Sequence, residues 1–340
     1  MNQTLKARKF GDLDITKKSS VLLSKLQAYG QIHFDKLIDE FVECFEDYCT
    51  KVVKMQEIGI KEPISFINFS VLRTNLLIKK HELRIDAYGE DWYLDRIECA
   101  GSYDVSKMYR WLDTFADSLE ATRKKYMGNL KLEQMQEEIF HESQKYLIFV
   151  AEIMRIAIKK AIKTQSYQKM KRNDVFVICI GEYQDQVDIL YKEDSTIKDG
   201  KAVKRYFEKD SKQNDLFTYE ICRDLNLSEG NFTDINIMYS SFTKCDFTNA
   251  NFKDSALFIS DFKQSIFKDV SFENVQLLEL DFTEATLENV SFKDAKLTNL
   301  IFKNATLINV DFEDALIISG LSFEDAALIE TVIPKEKGLS

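Results

Sequence analysis

The stretch Ala250-Asn251-Phe252-Lys253-Asp254-Ser255-Ala256-Leu257-Phe258-Ile259-Ser260-Asp261-Phe262-Lys263-Gln264 decides the reading of the last third of the chain. An apolar residue falls at every fifth place: Phe252, Leu257, Phe262. Stepping by five from Leu227 meets only apolar residues as far as Ile317, 19 hits in a row. One inserted residue near Gly320 interrupts the count, which resumes at Phe323, Leu328 and Ile333. Two places before each hit stands a small or modest residue, such as Ala250, Ser255, Ser260, Ser265 or Val270. A helix repeats every 3.6 residues and a strand every two, so neither keeps residues five apart on one line.

The pattern resolves further at a period of twenty. Phe232, Phe252, Phe272, Phe292 and Phe312 make one column and Phe242, Phe262, Phe282 and Phe302 another, with Ile237, Leu257, Leu277, Leu297 and Ile317 between them. Four pentapeptides per turn stack like on like. The chain then winds as a four-sided tube whose coils hydrogen-bond to one another at a rise of about 4.8 Å.

These residues resemble the pentapeptide-repeat family, whose unit is Ala, Asp or Asn, Leu or Phe, then two variable residues. Ala250-Asn251-Phe252-Lys253-Asp254, Cys245-Asp246-Phe247-Thr248-Asn249 and Val310-Asp311-Phe312-Glu313-Asp314 fit it well. The resemblance covers residues 222–334 and implies a right-handed quadrilateral β-helix. Twenty-two repeats give about five and a half coils, or roughly 26 Å of tube.

Residues beside the central apolar one point outward. One outer column reads Thr233, Lys253, Glu273, Lys293, Glu313, an alternation of charge expected to stabilise by about 0.2–1 kcal/mol per pair. Beside it runs a candidate acidic strip, Asp234, Asp254, Asp294 and Asp314, which reads first as turns whose side chains bond their own backbone. On the aliphatic side the outward residues are Met238, Tyr239, Phe258, Ile259 and Leu278, too apolar for one solvated wall. They form a candidate interface, either for the N-terminal domain or for another protein. The last coil is apolar on nearly every side, with Phe323, Leu328, Ile329 and Ile333 offering a surface for a homodimer, which would cover both open ends.

The rest of the chain reads as a separate α+β domain over residues 1–191, with 192–221 a polar linker or N-terminal cap carrying one short helix, and 335–340 a polar tail. The fold class is therefore multidomain. Phe34, Leu37, Ile38, Phe41, Val42, Phe45, Tyr48, Cys49 and Val52 mark an amphipathic helix. Ile64–Ile78 reads as β, followed by alternation at Leu83, Ile85 and Ala87. Asp104 caps a helix through Met127, with Gly128 beyond its end, and a long helix spans Leu132 to Met170. Two more strands are expected at Val175–Ile180 and Val187–Tyr191.

Charge divides unevenly. The chain carries a net charge of −10, and the residues from Ile221 onward, with 20 acids and 10 bases, hold all of it. Nucleic-acid binding by the tube is disfavoured, because gripping a phosphate backbone needs Lys and Arg. The basic group Arg155, Lys159, Lys160, Lys163, Lys169, Lys171 and Arg172 reads as a solvated helix end, or else as a contact for nucleic acid or an acidic protein. Tyr146 to Ile158, the most apolar stretch, contains Glu152 and Arg155 and is too short to span a membrane. No secretory leader is evident, and six cysteines without a metal-binding spacing suit reduced thiols in a cytoplasm.

No assembled catalytic site is expected, and no cofactor or metal. Glu138 and His141 form a single Glu-x-x-His pair where a di-iron site needs two, and His33 with Cys44 or Cys49 is a poor catalytic pair. The first functional expectation is a non-enzymatic binding or scaffold protein with a protein partner. The family resemblance implies an alternative, a DNA mimic that shields a type II topoisomerase, although the tube matches only about eight base pairs in length. An enzyme in the N-terminal domain is the third.

Overall fold

The computed structural model describes residues 2–125, 131–185, 187–210 and 216–331. The chain divides into two compact units, 1–194 and 195–340.

The first unit is α+β. It runs α1 (Asn2–Ile32), α2 (Phe34–Glu57), β1 (Ile64–Val71), α3 (Arg73–Leu77), β2 (Glu82–Tyr88), β3 (Ala100–Asp104), α4 (Ser106–Lys125), α5 (Leu132–Ala161), α6 (Gln165–Lys169), β4 (Arg172–Glu182) and β5 (Val187–Asp194). The strands make one sheet in the order β3-β2-β1-β4-β5, with β1 and β4 parallel and the other pairs antiparallel. The apolar stripe of α2 supplies Phe41, Phe45 and Cys49 to a core shared with Ile67 and Phe69 of β1 and Val150 and Met154 of α5. Asp104 lies one residue before the N-terminal capping position of α4, where the Val105 carbonyl takes the first helical bonds, and its Oδ1 accepts from the Ser106 amide at 2.8 Å. The expected end at Met127 and Gly128 lies outside the described residues.

Three expectations need correction. The helix anticipated from Leu132 to Met170 is two, because Thr164 leaves helical geometry (φ −68°, ψ 152°) and its hydroxyl donates to the Ala161 carbonyl at 2.8 Å. The apolar run to Ile78 is a strand only to Val71, and Arg73–Leu77 turns into a short helix. The basic residues are not one helix end either. Lys169 belongs to α6 and Arg172 to β4, where Arg172 lies over the Tyr167 ring at 4.2 Å and bonds Glu193 at 2.9 Å.

The second unit opens with α7 (Gly200–Asp210), the short helix expected within 192–221. It caps the tube. Phe207 is fully buried against Phe217, Phe232 and Phe242 at ring separations of 4.7, 5.5 and 6.1 Å. Lys198 and Lys204 donate to the carbonyls of Ile221 and Ser228. Coils begin earlier than the boundary at 222: Leu216–Thr218 already pairs in parallel with Asn236–Met238.

From there the chain is a four-sided β-helix in which residues twenty apart sit in register. Leu257 pairs with Ile237 and Leu277, Phe267 with Leu287, and Asn251 with Asn231 and Ser271. The phenylalanine columns are real piles. Phe232, Phe252, Phe272, Phe292 and Phe312 follow one another at 4.8, 5.1, 5.1 and 4.9 Å between ring centres. Phe242, Phe262, Phe282, Phe302 and Phe323 form the second pile at 5.2, 5.5, 5.2 and 5.1 Å. The insertion is a bulge at Ile318: Leu297 faces Ile317 while Thr298 faces Ser319.

Candidate functional site

Each corner of the tube is made by a residue with positive φ, two places after the central apolar residue, from Tyr219 to Glu330 at steps of five apart from the bulge. A left-handed backbone crowds the Cβ of an L-residue against the carbonyl and costs about 1–2 kcal/mol; Asn and Asp tolerate it best. The corner residues are almost all polar: Asp, Asn, Glu, Gln or Lys. The non-glycine exceptions are Tyr219, Tyr239 and Ile259, with φ of 56°, 54° and 46°. They occupy consecutive coils of one face. Ile259 is the sharpest departure, since a branched Cβ is least at ease in this conformation.

This same face carries the expected apolar wall. Met238, Phe258 and Leu278 pair directly across coils, and all three are half-buried. The rings of Tyr219 and Tyr239 stack at 5.2 Å with 23° between planes. The wall therefore comprises Tyr219, Met238, Tyr239, Phe258, Ile259 and Leu278, and gives way at Glu279, Thr298 and Asn299. Tyr219 escaped the sequence reading because the count by fives began at Leu227. Counting back from there meets Cys222 and Phe217, and Tyr219 then falls into place.

The acidic strip has a structural origin. Asp234, Asp254, Asp294 and Asp314 are exposed corner residues with φ of 58°, 60°, 57° and 60°. Their backbone explains their identity. The turns are bonded by the residue before the central phenylalanine, not by these aspartates: Asp246 Oδ1 accepts from the Thr248 amide at 2.9 Å, and Asn251 Oδ1 from the Lys253 amide at 3.0 Å. Of the expected charge ladder, the Lys253–Glu273 rung closes at 3.5 Å and is the only one to do so among the described residues. Other lysines pair across coils elsewhere, Lys268 with Glu288 at 2.8 Å and Lys303 with Glu324 at 2.7 Å.

The far end presents Leu328 and Ile329 at 37% and 49% exposure, beside Leu316 and Ile318 at 50% and 52%. Phe323 is half-buried on the Phe302 ring. Ile333, expected to share this surface, lies outside the described residues.

In the first unit, Glu138 and His141 are exposed on α5. Among the described residues no group of three or more His, Cys, Asp and Glu is placed to hold a metal. His81 is buried, with Nε2 2.8 Å from Asp113 Oδ1. Burial, followed by the charges of Asp47 and Glu43, pushes the Cys44 thiol up to about 11, and burial raises Cys49 further. A nucleophilic cysteine needs the opposite shift. Among the described residues no cysteine forms a disulfide, and no helix is long and apolar enough to cross a membrane.

Comparison with known proteins agrees with this geometry. Residues 222–254 match the family model for pentapeptide repeats (8 copies), and residues 265–333 match that for the pentapeptide repeat region. These residues form a pentapeptide-repeat β-helix, and no family model matches the N-terminal unit. No curated protein matches the chain. Among solved structures it is similar to HetL, a pentapeptide repeat protein involved in heterocyst differentiation regulation from the cyanobacterium Nostoc sp. strain PCC 7120. Identity there is 16%, over 34% of this chain and 47% of that one, with a TM-score of 0.30. A trypsin-treated form of QnrB1, a plasmid-mediated fluoroquinolone resistance protein, matches at 14% identity over 30% of this chain and 60% of that one, TM-score 0.23. Rfr23, a pentapeptide repeat protein from the cyanobacterium Cyanothece 51142, matches at 14% identity over 38% and 95%, TM-score 0.20. The chain thus spans about half the length of HetL and three fifths of that form of QnrB1.

Proposed function

We propose that this chain is a non-enzymatic binding scaffold whose β-helix engages a protein partner through the wall of Tyr219, Met238, Tyr239, Phe258, Ile259 and Leu278. One observation carries the reading: apart from Gly320 at the bulge, the corners that depart from polar residues are Tyr219, Tyr239 and Ile259, and all three lie on this wall. Tyr219 is buried and Tyr239 and Ile259 are half-buried, and backbone strain kept where an asparagine would relieve it points to a use for the side chain. Ile259→Asn separates binding from folding, because it removes the apolar contact and relaxes the corner together. Affinity capture from extracts of the source organism should retain a protein on the wild-type chain and lose it on Ile259→Asn and on Phe258→Glu. Identical captured proteins with all three chains would remove the wall from the reading. The open end, with Leu328 and Ile329, is proposed to pair with a second copy.

A shielding role at a type II topoisomerase is the second reading. The −10 charge confined to residues beyond 220 favours it, as does the likeness to a fluoroquinolone resistance protein. The cross-coil Lys–Glu pairs weigh against it, because they interrupt the acidic surface. A gyrase supercoiling assay separates the two. The scaffold reading expects no change in supercoiling or in its inhibition by a fluoroquinolone.

A further inference from the structure

Strand β3 is an edge of its sheet, paired on one side only, with β2. Alternate residues of an antiparallel strand turn their N–H and C=O to opposite sides. The Val105 amide donates to the His81 carbonyl at 3.0 Å, so Tyr103 and Gly101 also face β2, and Ala100, Ser102 and Asp104 face outward. The Ala100 carbonyl accepts from Lys51 of α2, and among the described residues that of Ser102 meets only the Cys44 thiol, at 3.5 Å. Ser102 and Asp104 are exposed, and among the described residues nothing accepts from their outward amides.

A groove of about 660 Å³ lies between this edge and α2, lined among others by Glu40, Glu43, Cys44, Asp47, Lys51 and Lys107. Its cations are already engaged: Lys107 bonds Glu40 at 2.5 Å, and Lys51 is held on the Ala100 carbonyl. Glu43 and Asp47 are exposed and have no ion-pair partner among the described residues. Four residues apart on α2, they are separated by about 6 Å along the helix axis. Alternate side chains of a strand are about 6.6–6.8 Å apart, nearly the same interval.

We propose that this groove takes an extended basic segment of a partner protein, added as a sixth strand to β3, with cationic side chains at alternate positions against Glu43 and Asp47. Main-chain bonds to Ser102 and Asp104 would hold the strand, and the two carboxylates would select its charge. A lysine on an edge strand commonly blocks such pairing. Lys51 does so at the Ala100 end, which leaves the Ser102–Asp104 end guarded only by a weak thiol donor.

The test uses the full chain and fluorescein-labelled heptapeptides read by fluorescence anisotropy. Thr-Val-Lys-Val-Lys-Val-Thr should bind saturably, and its Glu-for-Lys counterpart should not. Two N-methylated forms of the lysine peptide, one blocked at both lysine amides and one at the valine amides flanking them, should differ at least tenfold, since only one set faces β3. The double variant Glu43→Gln/Asp47→Asn, with unchanged circular dichroism, should weaken binding by roughly fivefold. Absent saturable binding, equal binding of the glutamate peptide, or equal binding of the two methylated peptides would each overturn the proposal.

Discussion

Removing one ring from the middle of a pile is the sharpest probe of the tube. Phe272 is fully buried, stacks on Phe252 and Phe292 at 5.1 Å on either side, and meets Phe267 at 5.7 Å. Truncating a core phenylalanine to alanine costs about 3–5 kcal/mol. Two stacked neighbours, each adding about 0.5–1.5 kcal/mol beyond area, place Phe272→Ala in the upper part of that range, about 4–5 kcal/mol. Phe312 is 5% exposed and stacks on one side only, on Phe292 at 4.9 Å. Near the open end the coil frays locally without dragging its neighbours, so Phe312→Ala should cost about 2–3 kcal/mol. Melting the whole chain would mix two units, so the assay is hydrogen exchange resolved by segment. Phe272→Ala should lower protection in the coils on both sides, and Phe312→Ala only in the last two. Equal losses in the two variants, or a loss below about 1 kcal/mol for Phe272→Ala, would show that the pile is not what holds the coils together.

Three further outcomes follow from the same geometry. Phe207→Ala, which uncovers the first coil, should cost about 3–4 kcal/mol, read as faster exchange at 216–238 with protection kept beyond 280. Cys44, with its thiol pushed up to about 11 from the usual 9.0, should carry roughly 100-fold less thiolate at pH 8 than an unperturbed cysteine. Its alkylation by iodoacetamide should rise about tenfold per pH unit through pH 10, and a plateau near pH 9 would contradict the burial argument. If the open end joins two copies, analytical ultracentrifugation should show a dimer that Leu328→Glu converts to a monomer, and a wild-type monomer at micromolar concentration would refute that pairing.

The tube was legible because its period is carried by residues the fold cannot exchange: Phe252, Phe272 and Phe292 must be apolar to fill the interior and must be twenty apart to stack. The candidate wall was partly legible for the same reason, since Phe258 and Ile259 stand where Thr298 and Asn299 stand two coils on. What the letters did not reveal was the corner backbone. Asp234 and Asp254 look like an electrostatic feature, and only their positive φ shows that the chain's geometry selects them. The α+β unit was less readable because its boundaries depend on tertiary contacts. Thr164 breaks a helix that pattern alone would continue, and β3 has a composition (Ala-Gly-Ser-Tyr-Asp) that no strand propensity recommends.

The corner residues also bear on the proposal that the wall serves binding and not merely folding. Holding Tyr219, Tyr239 and Ile259 in left-handed conformation costs about 1–2 kcal/mol each. Half-burying a large apolar side chain returns about 1 kcal/mol, and the Tyr219–Tyr239 stack about another 0.5–1.5 kcal/mol for the pair. Within the tube, strain and burial therefore roughly cancel. Tyr219 is already buried at 6% exposure, but covering the remaining half of Tyr239 and Ile259 would add about 1 kcal/mol each with no further strain, so a net gain arises when a partner is bound. On this reasoning Ile259→Asn leaves the folding free energy within about 1 kcal/mol of wild type while weakening a complex about fivefold or more. A variant that unfolds the coil instead would place the value of Ile259 in folding and withdraw the wall as a recognition surface.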